Sequence, residues 1–133
     1  MSRENAEVVR AYYQAWADDD LDAWLAACDP NVELLTSGAF PDLAPVYRGH
    51  HGLRTFWDAM WAPWESFRVD SERIVEGEDC AVVAVRFRAR GKGSGVTTDL
   101  RQGHALRFKN RRVVKVSFRR SFEEALEAAG LSE

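Results

Sequence analysis

The chain has 133 residues, 46% of them hydrophobic and 29% charged, with a formal charge of −3. That length suits one domain, taken as 1–133, and the acidic balance argues against nucleic acid as a partner. No run approaches the roughly 20 apolar residues that cross a bilayer, and the start "MSRENAEVVRAYYQAW" has no apolar stretch of the signal-peptide kind, so no membrane role and a cytoplasmic location are expected.

The first element, "ENAEVVRAYYQAWADDD", reads as an amphipathic helix. Val8, Tyr12 and Trp16 stand at i, i+4 and i+8 with Val9 alongside, and Arg3, Glu7, Arg10 and Gln14 take the wetter side. A second helix follows, with Asp19 or Asp20 as N-cap, an apolar stripe of Leu21, Trp24, Leu25 and Cys28, and Pro30 as its expected stop. "NVELLTS" is a short strand with Val32, Leu34 and Thr36 on one face, and "GAFPDLAPVYRGHHG" reads as a loop. A third helix is expected from near His51, its apolar side drawn by Leu53, Phe56, Trp57, Met60 and Trp64.

Beyond it the chain alternates. Turn signals at Glu76-Gly77, Gly91 to Gly95 and Lys109-Asn110 divide three or four long strands. Val83, Val85 and Phe87 oppose Arg86, Arg88 and Arg90, while Val114, Val116 and Phe118 oppose Lys115, Ser117 and Arg119. One apolar and one polar face belong to an antiparallel sheet covered on one side. "SFEEALEAAGL" supplies a terminal helix, and the whole order is α+β.

The two cysteines, Cys28 and Cys80, show no C-x-x-C or Cys/His ligand spacing, so no metal is expected; two reduced thiols are the plain reading and a disulfide the alternative. His50 and His51 lie at a helix start, and a His-His pair does not aim both rings at one metal. The segment "QGHALRF" is more pointed. Gln102, His104, Leu106 and Phe108 share one strand face, and the last two turn that face toward a core. An inward imidazole and carboxamide then need partners, because an unpaired buried polar group costs about 1–3 kcal/mol.

The stretches "VVRAYYQAW", "DLDAWLAACDPNVEL", "YRGHHGLRTFW" and "GHALRFKNRRVVKVSF", with the terminal "EEALEAAGL", resemble the nuclear transport factor 2-like superfamily in its SnoaL-like branch. The resemblance implies a cone-shaped roll: a strongly curved, mainly antiparallel sheet with three N-terminal helices on its concave face and a short C-terminal helix. It implies an apolar pocket between them, cofactor-free isomerase, cyclase or dehydratase chemistry in some members, and binding without catalysis in others. Ketosteroid isomerase-like members carry a tyrosine donor on the first helix, where Tyr12 stands here, and a second donor where His104 stands. Their carboxylate base would fall at Leu34, beside an outward Glu33, so steroid isomerisation is not expected. SnoaL-type cyclases carry an acid/base aspartate near the place of His104, and a histidine can carry protons there instead. Epoxide hydrolysis would need an Asp-Arg-Asp set, and Asp99 and Arg101 have the outward parity.

Two functions stay open. In one, Tyr12 polarises a carbonyl, His104 shuttles a proton and Gln102 orients one of them, within an apolar wall of Trp16, Leu34, Trp57, Met60, Val85 and Phe118. In the other, the same pocket binds a small hydrophobic molecule without turnover. His104 and Tyr12 also have the plain alternative of structural packing with a satisfied hydrogen bond. The arginine ladder of Arg86, Arg88 and Arg90 is either a solvated face neutralised by Asp70, Glu72 and Glu33 or, as in many relatives, the outer-face interface of a homodimer.

Overall fold

The computed structural model describes residues 3–36 and 42–132. Ser37 and residues 38–41 of the Gly/Pro-rich segment lie outside the described residues.

The first helix, α1 (Arg3–Ala17), buries Val9, Tyr12, Tyr13, Ala15 and Trp16. Positions 9, 12, 13 and 16 are i, i+3, i+4 and i+7, the spacing of one broad helical face. Val8, expected to lead the stripe, is only half-buried. The chain turns at Asp19, whose φ is +53°. Asp20 then caps α2 (Leu21–Ala27) by accepting from the Ala23 N–H at 3.0 Å, a bond worth about 1 kcal/mol. Within α2, Trp24 is fully buried, its ring 4.8 Å from Trp16 and 5.6 Å from Trp57.

Cys28 does not continue the helical stripe. It opens strand β1 (Cys28–Leu35) with extended backbone. The helix therefore ends without help from Pro30, which lies inside β1 where the register shifts between Cys28 and Glu33; a strand tolerates proline at such an irregularity. The expected inward face of this strand is buried throughout: Val32, Leu34 and Thr36. Thr36 donates its hydroxyl to the Ala44 carbonyl at 2.8 Å. The segment read as a loop also contains a strand, β2 (Val46–Arg48), paired to β1. Three residues give too little alternation to be seen in a Gly/Pro-rich run. Next comes α3 (Gly49–Trp61). Gly49 has φ +69°, and His50 Nε2 lies 2.9 Å from the Cys28 carbonyl oxygen, tying the helix start to β1.

Four long strands complete the sheet: β3 (Trp64–Glu76), β4 (Cys80–Gly91), β5 (Thr97–Lys109) and β6 (Arg112–Arg119). The β5–β6 turn places Asn110 and Arg111 at φ +52° and +63°, the two left-handed residues of a type I′ hairpin. Strand order is β2-β1-β6-β5-β4-β3. Among the described residues, only the β1–β6 pairing is parallel. The helices α1, α2 and α3 pack on the inner face of this open cone, against Val83, Val85, Leu106, Phe108 and Val116.

A fourth helix, α4 (Phe122–Ala129), is capped by Ser121, whose Oγ accepts from the Glu124 N–H at 3.1 Å. It covers the outer face, where Val82, Ala125 and Leu126 form a second small core with Ala105 beside it. Gly103 makes this approach possible: a Cβ there would fall on the Ser121 carbonyl oxygen and lie 2.7 Å from Ala125 Cβ. Among the described residues, no helix is long and apolar enough to cross a membrane.

Candidate functional site

The site grows from the alternation of β5. Gln102, His104, Leu106 and Phe108 are all buried on the inner face, while Arg101 and Arg107 are exposed. His104 sits between Val83 of β4 and Phe118 of β6. Its ring stacks on Phe118, with centroids 4.3 Å apart and planes 19° apart. From the helical layer, the Tyr13 hydroxyl reaches His104 Nδ1 at 2.9 Å. With hydrogen on Nε2 the phenol donates to Nδ1; with hydrogen on Nδ1 the ring donates to the phenol oxygen.

The hydroxyl that meets His104 is thus that of Tyr13, not that of Tyr12 as expected. Tyr12 is deeper, edge-on to Tyr13 at 4.9 Å and to Trp24 at 5.8 Å. Adjacent residues lie about 100° apart around a helix, and the buried face of α1 is wide enough to hold both. The spacing of Val9, Tyr13 and Trp16 was a usable signal; the stripe drawn through Val8 hid it.

These groups border a cavity of about 30 Å³, room for roughly one water. Of the side chains expected to line it, Tyr12, Trp16, Met60, Val85, Gln102, His104 and Phe118 do. Leu34 and Trp57 do not: Leu34 is buried between Tyr47 and Val116, and Trp57 stacks 4.2 Å from Trp16 within the helical layer. Tyr13, Phe56, Val69 and Phe87 complete the wall. Tyr13 and Val69 also border a surface groove between α1 and β3, so they stand between the cavity and solvent.

Burial sets the electrostatics. It lowers His104 from 6.5 to about 3, so the ring is neutral at ordinary pH. It also raises the hydroxyls of Tyr12 and Tyr13 well above the usual phenol range and pushes the Cys28 thiol up to about 12. Gln102 is 7% exposed, and its carboxamide makes no hydrogen bond to another described residue. Among the described residues, no three His, Cys, Asp or Glu side chains gather as a metal-holding group. Asp99 and Arg101 point outward, paired with Arg86 and Glu72, so no Asp-Arg-Asp set faces the cavity.

An open α+β cone with helices over its concave face and polar groups at its heart places the chain in the NTF2-like class. Residues 9–116 match the SnoaL-like domain, and the chain belongs to that family. It is similar to an NTF2-like protein of unknown function from Burkholderia pseudomallei, at 26% identity and TM-score 0.81 over 96% of this chain and 97% of that one. TerC, co-crystallised with polyporic acid, shares the fold at 21% identity and TM-score 0.80, covering 93% and 98% of the two chains. So does RV0760c from Mycobacterium tuberculosis, in complex with estradiol-17beta-hemisuccinate, at 16% identity and TM-score 0.74 over 88% and 93%. No curated protein matches the chain.

Proposed function

We propose that this domain binds a small, mostly apolar ring molecule in the cone, beneath Tyr13, His104 and Gln102. The observation that carries this reading is Gln102: a carboxamide on the inner face, bordering the cavity among aromatic side chains and hydrogen-bonded to no other described residue. Core packing gains nothing from such a group, whereas a ligand oxygen would satisfy it. Fold relatives that hold polyporic acid and a steroid ester support a cone that receives ring compounds. The present cavity is too small for a ring, so entry moves the wall that faces the α1–β3 groove, Tyr13 and Val69.

Proton-transfer catalysis by His104, with Tyr12 or Tyr13 as donor, is the second reading, favoured by the buried Tyr13–His104 bond. Binding ranks above it. A proton carrier works best with a pKa near the operating pH, and burial holds His104 far below that range. A homodimer through the outer face belongs to the same proposal; α4 occupies one part of that face and leaves the ion-paired strip of β3, β4 and β5 for a second copy.

Thermal melting with a panel of ring ketones, phenols and matched hydrocarbons tests the reading. A ligand at a hundredfold excess over its Kd raises stability by about 2.7 kcal/mol. Tyr13→Phe and Gln102→Leu are expected to weaken the oxygen-bearing ligands by tenfold or more and to spare the hydrocarbons. No melting shift with any ring compound would refute binding. Turnover of a bound carbonyl compound that vanishes in His104→Gln, with affinity retained, would put the catalytic reading first.

A further inference from the structure

We propose that the site selects its ligand by charge state: it takes a ring-sized phenol as the neutral molecule and refuses the corresponding phenolate. This rests on the binding reading above and narrows it to a chemical class.

Every element around His104 presents an uncharged side chain. From α1 come Tyr12 and Tyr13, from α3 Phe56 and Met60, and from β3 Val69. The strands add Val85 and Phe87 from β4, Gln102 from β5 itself and Phe118 from β6. Among the described residues, no Asp, Glu, Lys or Arg lines the cavity. Of the cations adjacent in sequence to lining residues, Arg86, Arg88 and Arg101 lie on the other face of the same strands and pair with Asp99 at 2.6 Å, Asp70 at 2.5 Å and Glu72 at 3.0 Å, while Arg119, beside Phe118, borders a separate surface groove with Glu124 and Glu127. An anion brought into this apolar space would lose its water and gain no counter-charge.

The hydrogen-bonding pattern agrees. An oxyanion needs donors only, whereas a neutral phenol needs an acceptor for its proton and a donor for its oxygen. The Gln102 carboxamide supplies both kinds of group. The Tyr13–His104 pair adds one of each in either tautomer: ring N–H and phenol oxygen, or phenol O–H and ring nitrogen. The aromatic walls of Trp16, Phe56 and Phe118 suit a flat ring edge-on or offset.

Titration calorimetry of the intact protein with para-nitrophenol and para-nitroanisole, between about pH 5 and about pH 8, tests the proposal. The first probe ionises within that range and the second does not. No cavity group titrates there, since His104 lies at about 3 and both tyrosines are raised. The nitroanisole affinity should stay flat. The nitrophenol affinity should fall about tenfold per pH unit above the probe's own pKa, and Gln102→Leu should erase its advantage over nitroanisole at low pH. If nitroanisole binds and nitrophenolate binds as tightly as nitrophenol or more so, charge selection is refuted while the pocket reading stands. If neither probe binds at any pH, the pocket reading itself falls and takes charge selection with it.

Discussion

The two faces of the β4–β5 ribbon share one backbone and treat polarity in opposite ways. On the outer face Arg86 pairs with Asp99, while Arg88 and Arg101 pair with Asp70 and Glu72 of the neighbouring β3, in reach of solvent. These charges lose little hydration and gain little from pairing. On the inner face, one residue along, Gln102 and His104 sit among aromatic rings. There a charge has nothing to offset the loss of water, so the polar groups are neutral and their few hydrogen bonds decide the chemistry. The same two-residue alternation thus yields a solvated ion network on one face and buried, uncharged polar groups on the other.

Three measurements break or sharpen that contrast. At neutral pH the largest effect should come from Gly103→Leu, an outer-face change without charge. Its side chain would collide with the Ser121 carbonyl and Ala125, and displacing α4 should cost about 3 kcal/mol or more, seen as a lower denaturant midpoint. Unchanged stability would mean that α4 is not docked as described.

The acid limb should report the inner face. His104 falls from 6.5 unfolded to about 3 folded. Below 6.5 the unfolded chain therefore binds a proton that the native state refuses, and stability drops as pH falls toward about 3. The slope from this group is about 1.4 kcal/mol per pH unit, and it vanishes above 6.5, where both states are neutral. Denaturation across that window should show the slope flattened in His104→Gln; an unflattened limb would place the ring in contact with water.

The smallest effect belongs to the outer charges. Replacing Arg86 by Met removes a bidentate pair with Asp99 at 2.9 and 2.6 Å. The melting midpoint should move less than in either variant above, and the difference should shrink as salt screens the exposed pair. A large, salt-independent loss would show that this strip is buried, as in the interface of a dimer.

Much of this was legible in the sequence because it depends on local rules. Period-two alternation put His104 and Gln102 inward and Asp99 and Arg101 outward. Asp20 was readable as a cap because a short acceptor side chain beside a helical run has few other uses. The elements misread were those that distant partners settle. β2 exists only through its pairing with β1, and Pro30 sits in a strand because β1 lies against β6, more than 80 positions away in the chain.

The sequence by itself determined the α+β order, the polar and apolar faces of β4 and β5, and the presence of an imidazole on the inner one, whereas on β6 it is Val113 rather than Val114 that joins the core, and Ser117 is buried. Tertiary structure alone decided that Tyr13 rather than Tyr12 meets the imidazole, that Leu34 and Trp57 stand back from the cavity, and that the hollow is barely a water wide. The physical reason is that strand parity is fixed within the strand. The rotation and depth of a helix on a sheet, by contrast, follow from how all the facing side chains pack at once.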